Sequence, residues 1–434
     1  MKMKKIKRLI PVMVLFVCTL NIYAQDWPQY FGPTRNGASS QKDILKTWPE
    51  KGPEVLWTAN IGIGYGGPVV KDSKVYLLDR DDQVGDKLRC FELASGKELW
   101  SFGYEAPGSV MFPGSRSVPT LDGNRIYTVG PYGNLYCIDI NTHKPIWNKN
   151  IWTDYGGGEI PRWAITQCPL VYSDLLILAS QAPQAGVVAY EKLTGKVKWS
   201  TPPLGPAGYV SPAIVKVGGE SHVVMITASA GRGANSSGGK VVGIEPLTGK
   251  VLWEYTNWQC GIPVPGAVDA GEGRMLITGG YQAGAAMIKI EKKTDETYGV
   301  TELYKNPDFG SHTQTPVLYK GYFYAQYSTN ERKDGMVCMS IDGQVKWKTG
   351  RSPLFDKGGS ILADGLLLST DGSSKLYLIE PDPTAFKPIA TAELLKGDSG
   401  DQRFPTQNWA PLALANGKLL IRDQSRLMCV KVAK

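Results

Sequence analysis

Three arginines in this 434-residue sequence stand in Gly- and Pro-rich segments together with aromatic and amide side chains. A guanidinium group binds a carboxylate through two parallel hydrogen bonds, and an aromatic ring stacks on an apolar ligand surface. The pattern predicts a site for an anionic or hydroxyl-rich ligand. A structural alternative has the tryptophans packed in the fold and the arginines paired with Glu159 and Asp401. The candidate binding residues are Tyr65, Arg116, Arg162, Trp163, Gln167, Gln314, Arg403, Asn408 and Trp409.

His312 and Tyr209 are the candidate catalytic residues, as a general acid and base. The sequence has three histidines. His143 lies in a short turn and His222 in a hairpin-like segment, so we expect both at the surface or at a strand edge. His312 directly precedes a strand in a Gly- and Pro-containing loop, and imidazole titrates near neutral pH. The alternative for His312 is a hydrogen-bonded structural role.

Two other segments resemble known ligand loops in composition alone. Asp79, Asp81, Asp82 and Asp86 are rich in carboxylates, but their spacing does not follow the DxDxDG calcium pattern and no closing Glu follows. We therefore expect a solvated acidic loop and no metal site. The Gly-rich segment 231–239 joins two strands and opens no helix, which argues against a phosphate loop.

The elements that must position the candidate residues form an internal repeat. A strand, a tight turn and a second strand that opens on Trp recur, and Gly in most of the turns supplies the positive φ that a short hairpin requires. The Trp can then pack on the neighbouring unit. Weaker copies occupy 288–304 and 376–394, and the last segment, 418–434, lacks the Trp strand that 54–62 supplies. The five clear copies are 90–100, 136–147, 188–199, 242–253 and 338–347.

A second recurring sequence motif gives the same number of units, eight. Small residues and Pro precede a short apolar strand eight times, and Pro loses no ladder hydrogen bond at the start of a strand. We therefore predict an all-β fold: an eight-bladed β-propeller of four-stranded antiparallel blades, closed by pairing of the N-terminal and C-terminal strands in one blade. The eight copies of this motif are 66–70, 117–121, 167–171, 210–214, 265–269, 314–318, 359–363 and 409–414.

The long loops of this propeller all open on one side. In a four-stranded blade, the loop that leads into the first strand and the loop between the second and third strands lie on the same face. We call this side the loop face. Long loops on a rigid scaffold predict a binding face. The loops leading into the first strands carry the candidate residues to the central funnel; they include 105–116, 153–167, 257–266, 306–314 and 396–409.

The Thr-Gly-Lys-x-x-Trp units resemble the tryptophan-docking repeats of exported PQQ-like (quinoprotein-like) β-propeller repeat proteins, and the likeness covers 54–434. The segment DWPQYFGPTRNG at 26–37 resembles the opening of such proteins. In the family's enzymes, PQQ lies in the funnel between a Trp and a vicinal disulfide, beside a calcium ion held by acidic and amide groups. This sequence has no adjacent cysteines and no recognisable acidic trio. We expect no cofactor, with PQQ and calcium as the alternative.

The first 24 residues have the features of a secretory signal peptide. Basic residues at 2–8 precede an apolar stretch at 9–20 that is too short to span a bilayer, and Ala24 before Gln25 suits cleavage. We predict an exported protein, periplasmic or secreted, without a membrane span. The predicted regions are the signal peptide at 1–24, an N-terminal extension packing on the propeller at 25–53, and the propeller at 54–434.

Charge and cysteine content narrow the partners further. The chain has a net charge of +8, but five basic and no acidic residues lie in 1–24, which leaves +3 for the remainder. Without a dense Lys/Arg stripe, nucleic acid is not an expected partner. The six cysteines after residue 24 lie mostly in apolar strands, so we expect buried thiols, with one or two disulfides as the alternative. We expect a monomer.

Three functions fit these patterns. The first is an exported cell-envelope propeller that acts as a binding or scaffold module through its loop face, with an envelope protein as partner. The second is carbohydrate binding by a saccharide-directed enzyme, in which Arg116, Arg162 and Arg403 clamp carboxylates and His312 and Tyr209 transfer protons. The third is a PQQ-dependent dehydrogenase. The sequence leaves open whether the protein is an enzyme.

Overall fold

The computed structural model describes residues 25–230, 237–327, 334–396 and 407–434. The predicted signal peptide and Arg403 lie outside these ranges. The described residues form 33 β-strands and one short 3₁₀ helix, Thr153–Tyr155. The strands make eight sheets, each an antiparallel meander of four, and one sheet carries an additional parallel strand. The predicted all-β, eight-bladed propeller is confirmed.

The first four blades follow one another along the chain, each beginning with a short strand on the axis. Blade 1 comprises β3 (Val69–Lys71), β4 (Lys74–Asp81), β5 (Gly85–Glu92) and β6 (Glu98–Glu105). Blade 2 comprises β7 (Thr120–Asp122), β8 (Arg125–Val129), β9 (Asn134–Asp139) and β10 (Pro145–Asn150). Blade 3 comprises β11 (Leu170–Tyr172), β12 (Leu175–Leu178), β13 (Val188–Glu191) and β14 (Val197–Ser200). Blade 4 comprises β15 (Ala213–Val217), β16 (Glu220–Ile226), β17 (Val241–Ile244) and β18 (Val251–Tyr255).

Blades 5 to 7 repeat the pattern, and β1 (Ala38–Ser39) adds in parallel to the first strand of blade 7. Blade 5 comprises β19 (Val268–Gly271), β20 (Arg274–Gly279), β21 (Gly284–Lys292) and β22 (Tyr298–Asn306). Blade 6 comprises β23 (Val317–Tyr319), β24 (Tyr322–Tyr327), β25 (Gly335–Ser340) and β26 (Val345–Lys348). Blade 7 comprises β27 (Ser360–Ala363), β28 (Leu366–Thr370), β29 (Lys375–Glu380) and β30 (Lys387–Glu393).

Blade 8 joins the two ends of the chain. Its strands β31 (Ala413–Ala415), β32 (Lys418–Arg422) and β33 (Arg426–Lys431) come from the C-terminus, and β2 (Val55–Asn60) comes from the N-terminal part. Strand β2 pairs antiparallel with β33, with Trp57 opposite Cys429. This is the predicted closure, which leaves no unpaired edge between the first and last units.

The repeated tryptophans connect each blade to the next. Trp199 of blade 3 donates from Nε1 to the carbonyl oxygen of Pro246 in blade 4, at 3.1 Å. Its indole lies on Gly249, whose φ is +77° and where a β-carbon would lie 2.5 Å from the ring. The predicted docking role is therefore confirmed. The same bond to the following blade is made by Trp57, Trp147, Trp347 and, in place of Trp, Tyr304.

Two tryptophans dock differently, and both use a histidine. The turn of blade 2 has His143 where other turns have Gly, and Trp100 stacks on its ring with 4.4 Å between centroids. Trp253 donates from Nε1 to Nδ1 of His222 at 3.0 Å, within blade 4. His222 is only 1% exposed. The predicted surface or edge position is wrong for His222 because its strand is covered by the neighbouring blade.

The hydrophobic core lies between blades. Six clusters of buried residues each join two adjacent blades, and a larger cluster joins blades 7, 8 and 1. All six described cysteines are buried and none is in a disulfide, as expected for small core residues. Within the described ranges no helix has the length and apolar composition needed to cross a membrane.

The segment 25–41 crosses the axis on the side opposite the loop face. Trp27 exchanges two backbone hydrogen bonds of 2.9 Å with Val70 of blade 1, and the carbonyl of Pro28 accepts from Leu121 of blade 2 at 2.8 Å. The segment then reaches blade 7, where the Gly37 carbonyl accepts from the Leu362 backbone N–H at 2.8 Å. Because blades 2 and 7 lie on different sides of the ring, the segment covers the end of the channel.

Two side chains of this segment extend into the channel. Arg35 donates to the carbonyl oxygens of Pro169 in blade 3 and Pro212 in blade 4, at 3.0 and 3.1 Å. The Tyr30 hydroxyl lies 3.4 Å from Oγ1 of Thr315 in blade 6. Burial raises the pKa of Tyr30 to about 12 and lowers the pKa of Arg35. The segment therefore closes the channel with polar groups that the ring itself satisfies.

Candidate ligand-binding site

A cavity of about 330 Å³ lies on the axis at the loop face. Loops that lead into the first strands of most blades form its wall, and Tyr30 of the segment 25–41 contributes to its lining. Seven of the predicted site residues line it together: Tyr65, Arg116, Trp163, Tyr209, His312, Gln314 and Trp409. The remaining lining residues are Phe112, Val118, Thr166, Cys168, Ser211, Ile262, Val264, Tyr281, Thr313, Lys357 and Pro411.

Three aromatic rings make a continuous wall. The ring centroids of Tyr65 and Trp409 are 5.5 Å apart, and those of Phe112 and Trp409 are 5.8 Å apart. Phe112 also meets Tyr65 edge to face at 6.2 Å. The Tyr65 hydroxyl donates to Oε1 of Gln407 at 2.5 Å. Such rings offer a large apolar surface and few rotatable bonds, which suits ligand packing.

Two further aromatic contacts stand elsewhere around the cavity. Trp163 and Tyr209 meet edge to face with centroids 5.3 Å apart, and the Trp163 backbone N–H donates to the Tyr209 hydroxyl at 3.4 Å. Burial raises the pKa of Tyr209. Tyr281 lies against His312 with 4.5 Å between ring centroids. His312 and Tyr209 therefore share one cavity, and each ring is held by an aromatic neighbour.

Arg116 is the most unusual charge in the wall. Its Nη2 donates to the carbonyl oxygens of Met111, at 2.8 Å, and Phe112. Its Nη1 is inaccessible to solvent and has no hydrogen-bond partner among the described residues. Burial lowers the pKa of Arg116 to about 10, so the group stays charged at neutral pH. Arg116 therefore brings a positive charge to the cavity wall while its hydrogen bonds to described residues go to backbone carbonyls.

Lys357 supplies a second cation, which sequence reasoning missed. Its Nζ lies 4.3 Å from the centre of the Trp409 ring, within the range of a cation–π contact. It also donates to both carboxylate oxygens of Asp356, at 2.9 and 3.1 Å. The Lys357 charge is therefore partly balanced by its neighbour in the chain, whereas the Arg116 charge is not. No Asp or Glu is among the lining residues in the described ranges.

Three of the predicted site residues that the structure describes do not line the cavity. Arg162 is exposed beside it, with its guanidinium 5.4 Å from the centre of the Trp163 ring. Gln167 is buried and donates to the Gly208 carbonyl at 3.2 Å. The buried Asn408 amide donates to the Ser373 carbonyl. These two amides hold loops in place. Arg403, as noted, lies outside the described residues.

The sequence did carry signals for the residues that were missed. Lys357 lies two residues before the segment 359–363 that begins blade 7, in a loop of the same kind as those that carry the other candidate residues. Phe112 lies inside a loop already singled out. Tyr281 belongs to the hairpin between β20 and β21. Tyr30 had no local signal, because its position depends on a segment that pairs with distant blades.

The segment 79–87 is a hairpin of β4 and β5, and the expectation of a solvated acidic loop is wrong for Asp79 and Asp86, which are buried. Asp81 at the end of the hairpin is exposed. Arg80 and Asp86 form an ion pair of 3.0 Å with both side chains fully buried. Asp79 accepts from the Gly62 backbone N–H at 2.9 Å and from Arg89 at 3.0 Å. Because Gly62 follows β2, this network fastens blade 8 to blade 1.

The lining residues do not fit the cofactor of the quinoprotein enzymes. A calcium ion prefers carboxylate and other oxygen ligands, and the described lining contains no carboxylate. No group of three His, Cys, Asp or Glu residues suited to a metal ion occurs in the described part of the chain. Cys168 is the one cysteine of the lining, and Asn408 is bound to a backbone carbonyl. We therefore derive no step through PQQ.

Comparison with known proteins extends the structural description. Outer membrane protein assembly factor BamB of Bordetella pertussis is 27% identical over 217 residues, which cover 49% of this chain and 48% of that protein. Tetrathionate hydrolase of Acidithiobacillus ferrooxidans is 26% identical over 132 residues, which cover 29% of this chain and 25% of that protein. The chain thus spans about half the length of the first relative and about a quarter of the second.

Solved structures share the fold at low sequence identity. Quinohemoprotein alcohol dehydrogenase from Comamonas testosteroni has a TM-score of 0.61 at 12% identity, over 94% of this chain and 81% of that chain. A europium-containing methanol dehydrogenase has a TM-score of 0.59 at 12% identity, over 94% and 89%. The family model described as outer membrane protein assembly factor BamB matches residues 84–349. Because that match covers more than half of the chain, the protein belongs to this family of PQQ-like β-propellers.

Proposed function

We propose that this protein is an exported, non-catalytic binding propeller of the cell envelope that holds a partner protein at its loop face. The observation that carries this proposal is the cavity at the centre of that face. It gathers aromatic rings and cationic groups from loops of many blades on one rigid ring, and the segment 25–41 covers the opposite end of the channel. Long loops fixed by a rigid scaffold are the usual place for a binding surface.

The chemistry of the cavity favours binding over catalysis. Trp and Tyr side chains that are partly open at the centre of a surface are typical anchors of protein interfaces. The described lining offers no carboxylate that would work with His312 as an acid–base pair. Membership of a family described as an outer membrane assembly factor supports an envelope partner. Export rests on the leader at 1–24, and the mass of the mature protein should correspond to a chain that begins at Gln25.

Capture of a partner by the purified protein tests the proposal. Immobilised residues 25–434 would be incubated with a detergent extract of the native envelope, and bound proteins would be identified by mass spectrometry. A loop-face variant, Arg162→Glu with Trp163→Ala, is compared with Lys196→Glu in an exposed turn on the opposite face. We expect the same partner from the wild type and Lys196→Glu, with at least tenfold less from the loop-face variant. Equal capture by all three proteins would contradict a loop-face partner.

A saccharide-directed enzyme is the second candidate. The presence of His312 and Tyr209 in one aromatic cavity favours it, since sugar rings pack on aromatic faces and glycosidic chemistry needs proton transfer. Acidic oligosaccharides would be screened by thermal shift and by product analysis. Product formation that is lost in His312→Gln would establish this function in place of the first. Unchanged melting and no product across the set would remove it.

A further inference from the structure

We infer that the axial cavity is a carboxylate site, which takes a carboxylic acid with an aromatic or branched apolar group next to the charged end. A free organic acid and the C-terminal residue of a polypeptide both offer this chemistry. The inference deepens the proposed function by naming the group that the bound molecule presents. It rests on the proposed function only where a partner protein supplies that group.

The described lining of the cavity carries two cationic side chains, Arg116 and Lys357. Arg116 has a solvent-inaccessible Nη1 without a hydrogen-bond partner in the described ranges, and its other bonds go to backbone carbonyls. The charge of Lys357 is partly balanced by Asp356, which is not itself a lining residue. Among the residues that the structure describes, no Asp or Glu lines the cavity. A carboxylate in the cavity is attracted by the charges of Arg116 and Lys357, and it accepts a charge-assisted hydrogen bond where it reaches a guanidinium or ammonium N–H.

The segment 25–41 contributes a further positive charge, Arg35, at the closed end of the channel. Arg35 is half-buried at the closed end of the channel, with its guanidinium 5.8 Å from the centre of the Tyr30 ring. Its hydrogen bonds go to the carbonyl oxygens of Pro169 and Pro212 and to the amide of Gln29. None of its partners in the described residues is a carboxylate. Two guanidinium groups therefore stand along the axis, one in the wall and one at the end, and neither forms an ion pair with an acidic side chain that the structure describes.

The size and surface of the cavity define the rest of the ligand. Its walls are mostly apolar, with Phe112, Trp409, Ile262 and Val264 among the lining residues. A volume of about 330 Å³ lies near the lower end of the ~300–1,000 Å³ that is usual for small-molecule pockets. This space suits one apolar group and one carboxylate, and it is small for an oligosaccharide. Because Tyr30 and Arg35 close the far end, the ligand enters from the loop face.

Matched pairs of acids and amides test the inference. The probes are 3-phenylpropionate, indole-3-propionate and 4-methylpentanoate, each compared with its primary amide by isothermal titration calorimetry against residues 25–434. The amide has nearly the same shape and lacks the charge. A charge-assisted hydrogen bond in a buried site is worth about tenfold or more in affinity. We expect at least one acid to bind at least tenfold more tightly than its amide.

Variants assign the preference to the cavity. Arg116→Gln should bring the acid-to-amide ratio close to one, and Arg116→Lys should restore part of it, because a charge is retained without the planar fork. Lys357→Gln should reduce the ratio by a smaller factor. Lys196→Gln is the matched control, since it removes an exposed cation on the face opposite the cavity. Circular dichroism and unfolding in urea show that each variant is folded. A ratio unchanged in Arg116→Gln, or equal affinities in the wild type, would overturn the inference.

A peptide pair separates the two sources of the carboxylate. Ala-Ala-Phe with a free C-terminus is compared with its C-terminal amide under the same conditions. Preference for the free peptide supports a polypeptide end as ligand, whereas binding of the small acids alone supports a free organic acid. If no acid is preferred and the loop face still captures a partner, the carboxylate site is refuted and the proposed function stands. If acids are preferred but partner capture does not depend on the loop face, the reverse holds.

Discussion

Replacing one glycine tests how the blades hold one another. Gly249 lies under the indole of Trp199, with φ +77°, and a β-carbon there would lie 2.5 Å from the ring. Gly271 at the end of β19 has φ +78°, and a β-carbon there would meet nothing within 4 Å. Gly249→Ala and Gly271→Ala therefore place alanine at nearly the same positive φ. They differ in the contact between blades 3 and 4.

The difference in unfolding free energy follows from these two environments. Alanine in the left-handed region costs about 1–2 kcal/mol, and the loss of glycine from the unfolded chain returns about 0.4–1 kcal/mol. These two contributions apply to both variants and cancel in the comparison. Forcing a methyl group into a well-packed contact costs a further ~1–3 kcal/mol. We therefore expect Gly249→Ala to be less stable than Gly271→Ala by about 1–3 kcal/mol.

Equilibrium unfolding in urea measures this difference. Tryptophan fluorescence and circular dichroism should give coincident transitions, which would justify a two-state treatment and a free energy from the midpoint and slope. Each variant is compared with the wild type under identical conditions. A difference between the two variants below about 0.5 kcal/mol, or a larger loss in Gly271→Ala, would refute the view that indole-on-glycine contacts hold the blades together.

Three further predictions follow from buried polar groups. Burial lowers the pKa of His222, so the unfolded chain binds a proton that the folded chain excludes. The free energy of unfolding should therefore fall as the pH drops below about 6.5. Unfolding in urea at several pH values should show a smaller fall in His222→Gln, which keeps an acceptor for Trp253. Arg35→Met removes the bonds to Pro169 and Pro212 and should cost about 1–3 kcal/mol in the same assay; an unchanged midpoint would contradict a structural role for that arginine. The five buried thiols that do not line the cavity should react with Ellman's reagent only after unfolding, and their rapid reaction in the native protein would show that they are accessible; they are Cys90, Cys137, Cys260, Cys338 and Cys429.

The architecture was largely predictable because its signals are local. Each Trp and the glycine in the turn of the next blade lie in copies of the same short motif, so a pair such as Trp199 and Gly249 can be read from the sequence. The closing strand at Trp57 was predictable because the last unit lacked it. The histidine contacts of Trp100 and Trp253 were not predictable, because in each a histidine takes the place of the partner that the other docking residues use.

The site was predictable only in part, for a physical reason. Loops that lead into first strands start at the same distance from the axis, so residues such as Arg116, Trp163 and Trp409 meet there whatever the details of the loops. The position of Tyr30 depends on a segment that crosses the whole ring and has no periodic pattern. Burial of Asp86 was also hidden, because composition does not show that Arg80 in the same hairpin neutralises it.

Photocrosslinking in cells tests the proposed function most directly. A photoreactive phenylalanine analogue would replace Arg162 beside the cavity or Lys196 on the opposite face, both of which are exposed. Each protein is produced in the native host, irradiated, and its adducts are identified by mass spectrometry. We expect a specific adduct with one envelope protein from position 162 and none from position 196. No adduct at 162, or equal adducts at both positions, would contradict a partner held at the loop face.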